Sequence, residues 1–308
     1  MNRRELVGRI GASVVASTVA FHTAFAASRR EVAITMDDLA LHGGDESVLR
    51  ARNDSILRAL REHSIKAAIF VTGANVDSPF GAEMLQAWND AGHMLCNHTY
   101  SHRNCETTEF AEYTADILRC EQILRAYPRF RRFFRFPYLK EGKTAAQRDA
   151  VRRFLAEHGY RNGAVTIDAS DWYVDDRLVK RLAQDPDAAT GGYRDFYLQH
   201  ILDRSNYYDD VSRRALGRSV RHTLLVHHNV LNGLFLGDIL DQYVKQGWTP
   251  IDAEHAYADP VFRQNPDVVP AGDSLVLAIG VASGKVKRDR WPSEDGEYEA
   301  PAMDRLGL

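Results

Sequence analysis

Two adjacent carboxylates, Asp37 and Asp38, follow the β-rich run Val32–Met36. Taken alone, such a pair more often caps a helix or fills a turn. Further along comes Asn97-His98-Thr99-Tyr100-Ser101-His102, with its two histidines four positions apart. That spacing predicts both imidazoles on one face of a helical turn, where they can reach one ion. Two surface histidines are the commoner meaning of the motif by itself. With an aspartate added from the first run, two imidazoles and one carboxylate leave a fourth position for water. That is the donor count of a catalytic zinc site rather than a closed structural one.

Three more polar positions punctuate the chain. Arg135-Phe136-Pro137-Tyr138 sets a permanently charged guanidinium among aromatic residues, and such a group can hold a carboxylate bidentately. Asp168-Ala169-Ser170-Asp171-Trp172 and Leu224-Leu225-Val226-His227-His228-Asn229 each end an apolar run. An acid from one and a histidine from the other suit the Asp–His pair of a proton shuttle. Singly, either is more often a helix cap or a satisfied core histidine.

The elements that must carry these residues alternate. β-Rich runs occur at Val32–Met36, Ala67–Val71, His93–Cys96, Phe133–Phe136, Ala164–Ile167, Thr223–His227 and Trp248–Ile251. Between most of them the apolar residues recur at helical spacing, as in Ile56, Leu57 and Leu60, or Val151, Phe154 and Leu155. Strand–helix alternation means parallel strands with crossover helices, so the expected class is α/β. About seven strands suit a closed or nearly closed barrel, whose active sites lie at the C-terminal ends of the strands. Every motif above falls at such an end. Val174–Arg221 is too long for a simple connection and reads as an inserted pair of helices before the sixth strand. Beyond about Ala256 the alternation is lost, and Ser293–Leu308 reads as a loosely held acidic tail.

Composition narrows the class further. The chain has 308 residues, 44% of them apolar, and a net charge of -3, which excludes collagen-like and disordered chains. No dense basic block is present, so nucleic acid is not an expected partner. Cys96, Cys105 and Cys120 are too few for a disulfide framework and are expected to be unpaired. Arg3, Arg4 and Arg9 precede an apolar stretch, Gly11–Phe25, which closes on Ala24-Phe25-Ala26. That order is an export signal over residues 1–26, and Asn2–Val7 is similar to its twin-arginine type. The mature protein is then expected in the periplasm or secreted, with no integral membrane segment once the signal is gone.

Thr35-Met36-Asp37-Asp38, His98-x-x-x-His102, Arg135-x-Pro137-Tyr138, Asp168-x-x-Asp171-Trp172 and Leu225-Val226-His227 occur in one order. Together they resemble the polysaccharide deacetylase family, the NodB-homology domain of carbohydrate esterase family 4. The resemblance runs from about Val32 to Asp252, which places a deacetylase domain at residues 27–255 and a partly disordered extension at 256–308. Two departures stand out: Leu39 replaces a usual glycine, and Phe136 replaces the first of two usual prolines. The resemblance implies a distorted (β/α) barrel of about seven parallel strands. It implies a divalent ion on Asp38, His98 and His102, zinc first, with cobalt and nickel also suited to the donors. It makes Asp37 the base, held by Arg135, and His227 the acid, tuned by Asp171, with the adjacent His228 as the other candidate. Tyr138, following Pro137, supplies a backbone N–H to the oxyanion, and Trp172 walls the acetyl pocket. The implied activity is removal of N-acetyl groups from an N-acetylhexosamine polymer. An O-acetyl esterase of xylan type and a silent glycan-binding protein are the alternatives.

Overall fold

The computed structural model describes residues 29–42, 44–288 and 296–308. The export signal read from residues 1–26 lies outside them. The strands are β1 (Arg30–Asp38), β2 (Ala68–Val71), β3 (Met94–Asn97), β4 (Phe130–Phe134), β5 (Lys140–Gly142), β6 (Arg161–Asn162), β7 (Arg221–His227), β8 (Trp248–Pro250) and β9 (Ala271–Gly272). The helices are α1 (Glu46–Glu62), α2 (Gly73–Val76), α3 (Pro79–Asp90), α4 (Phe110–Leu124), α5 (Ala145–Glu157), α6 (Asp171–Gln184), α7 (Gly191–Leu216), α8 (Val230–Lys245), α9 (Ala253–Ala256), α10 (Leu275–Ala282) and α11 (Gly296–Leu306).

Seven strands make one parallel sheet in the order β6-β4-β3-β2-β1-β7, with β8 also pairing β1. β1 is central because Val32, Ala33, Ile34 and Met36 are apolar on both faces and wholly buried. Helices close over the sheet where the sequence supplies a cap and an apolar stripe. Asp45 caps α1 by accepting the Ser47 N–H at 2.8 Å, and Leu49, Ile56 and Leu60 bury that helix's inner face.

The fifth run departs from expectation. Ala164–Ile167 forms no continuous strand; Ile167 makes a single bridge to Leu224, while β6 just before it pairs with β4. Thr166 explains the interruption, because its hydroxyl accepts the Thr223 N–H at 2.8 Å in place of a regular ladder bond. The stretch from β6 to Ile167 still joins β4 to β7, so the sheet curls into a distorted (β/α) barrel. The long insertion is the pair α6 and α7. All three cysteines are buried and free. Among the described residues, no helix is long and apolar enough to cross a membrane.

The C-terminal residues correct another expectation. Residues 296–308 are not loosely held: α11 buries Met303 completely, and its Asp304 pairs with Arg177 of α6 at 2.7 Å. The extension also supplies β9, which pairs antiparallel with β5 and brings Asp273 to the rim of the cleft described next.

Candidate active site

A cleft of about 530 Å³ opens at the C-terminal ends of β1, β3 and β7. Asp37 and Asp38 are the last two residues of β1, where a regular strand would send their side chains to opposite faces. Asp38 instead has φ 80°, and both residues line the cleft. Such a φ is costly outside glycine. Thr72 and Asn75 help hold it: the Thr72 hydroxyl donates to the Asp38 carboxylate at 3.3 Å, and the Asn75 amide donates to its carbonyl at 3.0 Å.

The histidines converge differently from the helical turn their spacing suggests. His98 and His102 follow β3 in a loop, with Thr99 at φ 62° and His102 at φ 55°. The result is nonetheless a compact set: donor atoms of Asp38, His98 and His102 all lie within 4.8 Å of one another. His98 Nδ1 is 2.8 Å from the Arg135 carbonyl, which fixes the proton there and turns Nε2 toward the carboxylates. Burial pushes His98 down to about 4 against the pull of Asp38. Burial and the neighbouring His98 push His102 to about 4 as well. Both imidazoles are therefore neutral, with lone pairs to offer. Burial works to raise Asp38, but His98, His227 and His102 outweigh it and hold the group below its ordinary value. A set of two neutral imidazoles and one ionised carboxylate fits a divalent ion of the zinc, cobalt or nickel type.

Behind the donors, Arg135 spends its donors on four partners. Nη1 donates to Asp37 Oδ1 at 2.7 Å, Nη2 to the Thr35 hydroxyl and the Tyr257 hydroxyl at 3.0 Å each, and Nε to the Gly163 carbonyl at 2.8 Å. The guanidinium also sits 3.9 Å above the Phe70 ring. Burial raises Asp37 to about 6, with Arg135 opposing it.

Across the cleft, His227 ends β7, with Nδ1 2.8 Å from Asp171 Oδ1. Burial alone would lower its pKa, but the charge and hydrogen bond of Asp171 raise it to about 10. His228 is turned away and wholly buried. Its Nδ1 lies 3.2 Å from the Ala40 carbonyl and its Nε2 3.3 Å from Asn53 Oδ1. Trp172 and Tyr138 line the cleft, both substantially exposed, and the Tyr138 ring meets that of His102 edge-on at 4.6 Å. Pro137 opens the short 3-10 turn that puts Tyr138 at φ 58°. Asp168 is also on the cleft wall.

The polysaccharide deacetylase family profile matches residues 26–163, a span that holds Asp37, Asp38, His98, His102 and Arg135. Over those residues the chain is similar to the polysaccharide deacetylase family. Over 112 residues it is 32% identical to a peptidoglycan-N-acetylglucosamine deacetylase of Bacillus cereus, covering 36% of this chain and 37% of that protein. The match thus spans little more than a third of the relative's length. A carbohydrate esterase family 4 pseudoenzyme of Bacillus anthracis, as a mutant with restored activity, superposes with a TM-score of 0.52 at 19% identity, over 74% of this chain and 67% of its own. The crystal structure of a peptidoglycan N-acetylglucosamine deacetylase superposes at 0.50 with 22% identity, over 75% of this chain and 91% of its own. At these identities the likeness is one of fold.

The two departures from the family's usual motifs have visible consequences. Leu39 adopts φ 46° where a glycine would sit unstrained, and buries its side chain fully. Phe136 is buried edge-on against Phe134 at 4.9 Å. Several members of the site escaped the sequence. Tyr257 stands 122 positions from Arg135 with no motif around it. Asp273 and Lys140 reach the rim through the β5–β9 pair, which two- and three-residue strands do not announce. Asn229 and Asn232 were within reach, since they directly follow the histidine pair at cap spacing. Both donate to Asp171, at 3.0 and 2.9 Å, and Asn229 caps α8.

Proposed function

We propose that the chain is a divalent-metal-dependent hydrolase that removes N-acetyl groups from an N-acetylhexosamine-containing polysaccharide outside the cytoplasm. The observation that carries this reading is the convergence on one cleft of a two-histidine, one-aspartate donor set, a buried Asp37–Arg135 pair and the His227–Asp171 pair. Asp38, His98 and His102 hold the ion, zinc first by the chemistry of the donors. When bound, the ion supplies Lewis acidity to the acetyl carbonyl and lowers the pKa of water.

The chain's own groups do the rest. Asp37 has one oxygen tied to Arg135, which leaves Oδ2, 3.6 Å from His98 Nε2, to take the proton of the attacking water. Arg135 keeps that carboxylate ionised and aimed. The backbone N–H of Tyr138, set by the turn that Pro137 begins, donates to the developing oxyanion. His227 is anchored through Nδ1, so Nε2 delivers a proton to the departing amine, with Asp171 holding the ring. Trp172 gives the acetyl methyl an apolar wall. The peptidoglycan substrate of the Bacillus cereus relative makes peptidoglycan the first polymer to try.

Acetate release tests the reading, using N-acetylated and O-acetylated glycans with and without a chelator. Release from N-acetyl substrates that stops with chelator and returns with metal is the expected result. Release confined to O-acetyl glycans converts the reading to an esterase, and no release from metal-loaded protein ends it.

A further inference from the structure

Glu299 lies in α11, far beyond the residues that match the family profile, yet its side chain is only 7% exposed. A buried carboxylate is costly unless it is paired and hydrogen-bonded. Arg204 of α7 donates from Nη2 to Glu299 Oε1 at 2.7 Å, and the Ser170 hydroxyl donates to the same oxygen at 3.4 Å. His200, one turn earlier on α7, places Nδ1 3.5 Å from Oε2. The other ring nitrogen of His200, Nε2, accepts the backbone N–H of Ser170 at 3.0 Å.

These contacts select a tautomer. Nε2 has to offer a lone pair to Ser170, so the ring proton sits on Nδ1, against the carboxylate. Ser170 is the N-cap of α6, and the next residue is Asp171. The Asp171 carboxylate is packed between four donors: His227 N and Nδ1 at 2.8 Å each, Asn229 Nδ2 at 3.0 Å and Asn232 Nδ2 at 2.9 Å. The start of α6 therefore sets where the His227 ring can stand, and Glu299 holds that start from behind.

We propose that Glu299 is a positioning residue for the Asp171–His227 pair, acting through the His200 tautomer and the Ser170 backbone. The C-terminal helix is then part of the acid machinery rather than an appendage. This deepens the deacetylase reading and rests on it, because His227 matters most when the leaving group needs a proton.

The test compares two substrates on the full metal-loaded chain. A chitooligosaccharide releases an amine that must be protonated, whereas p-nitrophenyl acetate releases a phenolate that need not be. Glu299→Gln removes the charge while keeping the volume. We expect it to lower kcat on the chitooligosaccharide about tenfold or more, a fraction of what a general acid contributes, and to change p-nitrophenyl acetate hydrolysis by less than about threefold. Adding His200→Gln, whose amide oxygen accepts from Ser170 whatever sits behind it, should bring the ratio back. Equal losses on both substrates overturn the proposal. A second readout needs neither substrate nor variant: nitrogen NMR of histidine-labelled wild-type protein should show His200 protonated at Nδ1 and bare at Nε2. A proton on Nε2 overturns the proposal even if Glu299→Gln fails to fold. Wild-type protein that releases acetate from neither substrate overturns the deacetylase reading instead, and the tautomer still decides the contact argued here.

Discussion

Arg135 and Asp37 stand 98 positions apart in the chain and 2.7 Å apart in the fold, with side chains 1% and 4% exposed. Breaking such a pair from one side leaves the other charge buried without a partner, which typically costs about 3–5 kcal/mol. Arg135→Met should therefore destabilise the chain by that order in urea unfolding. Tyr257→Phe removes one acceptor of the same guanidinium, and a longer bond to the Ala164 carbonyl, and should cost less, about 1.5–3 kcal/mol. Comparable losses for the two variants would mean that the ion pair contributes little.

The two neighbouring aspartates should separate cleanly. Asp37→Asn leaves all three donors of the ion in place, so metal content by elemental analysis should persist while turnover falls by about 10² to 10⁴. Asp38→Asn should lose metal first, since an amide is the poorer ligand. The reverse pattern would exchange their roles.

The adjacent histidines should separate too. His227→Ala should keep metal and lose turnover, more on amides than on activated esters, because an amine leaves poorly unless protonated. His228 faces Ala40 and Asn53 rather than the cleft, so His228→Ala should lower the melting temperature and leave turnover of the folded fraction near wild type. Loss of activity in folded His228→Ala, with His227→Ala still active, would move the acid by one residue.

Acid should destabilise the fold through buried histidines remote from the cleft. His93 Nδ1 accepts the Ala67 N–H at 3.0 Å, and burial holds its pKa at about 3 against the usual 6.5. The unfolded chain then binds the proton that the folded chain refuses, so stability is full above pH 6.5 and falls as the pH drops toward 3. His93→Asn keeps an acceptor near the Nδ1 position and cannot charge. Urea midpoints across that range should fall less steeply for the variant than for wild type; identical slopes would show that His93 does not contribute.

Much of this was legible because four of the five motifs sit where a strand stops, and the fifth follows the Ile167 bridge. The apolar run Val32–Met36 marked the central strand, and a barrel of parallel strands puts all such ends on one rim. What the sequence could not show is how the backbone bends there. Asp38, Leu39, Thr99, His102, Tyr138, Leu139 and Asp273 all take positive φ, a conformation their side chains resist and only tertiary contacts impose. For that reason His98 and His102 meet through a loop and not a helical turn. Long-range partners such as Tyr257 and Glu299 left no local pattern, since the residues they meet lie far away in the chain.

β1 takes its neighbours from opposite ends of the chain: β2 soon after it, and β7 only after the whole α6–α7 insertion has been made. On a growing polypeptide, β1 through β3 can pair and bring Asp38, His98 and His102 together well before His227 exists. The His227–Asp171 pair can form only after β7 is made, and α11 follows later still. An interrupted chain would thus hold Asp38, His98 and His102 without the His227–Asp171 pair. Long-range pairing of this kind slows folding and lengthens the exposure of the open sheet edge. Completing the chain before it must work is the condition this topology imposes.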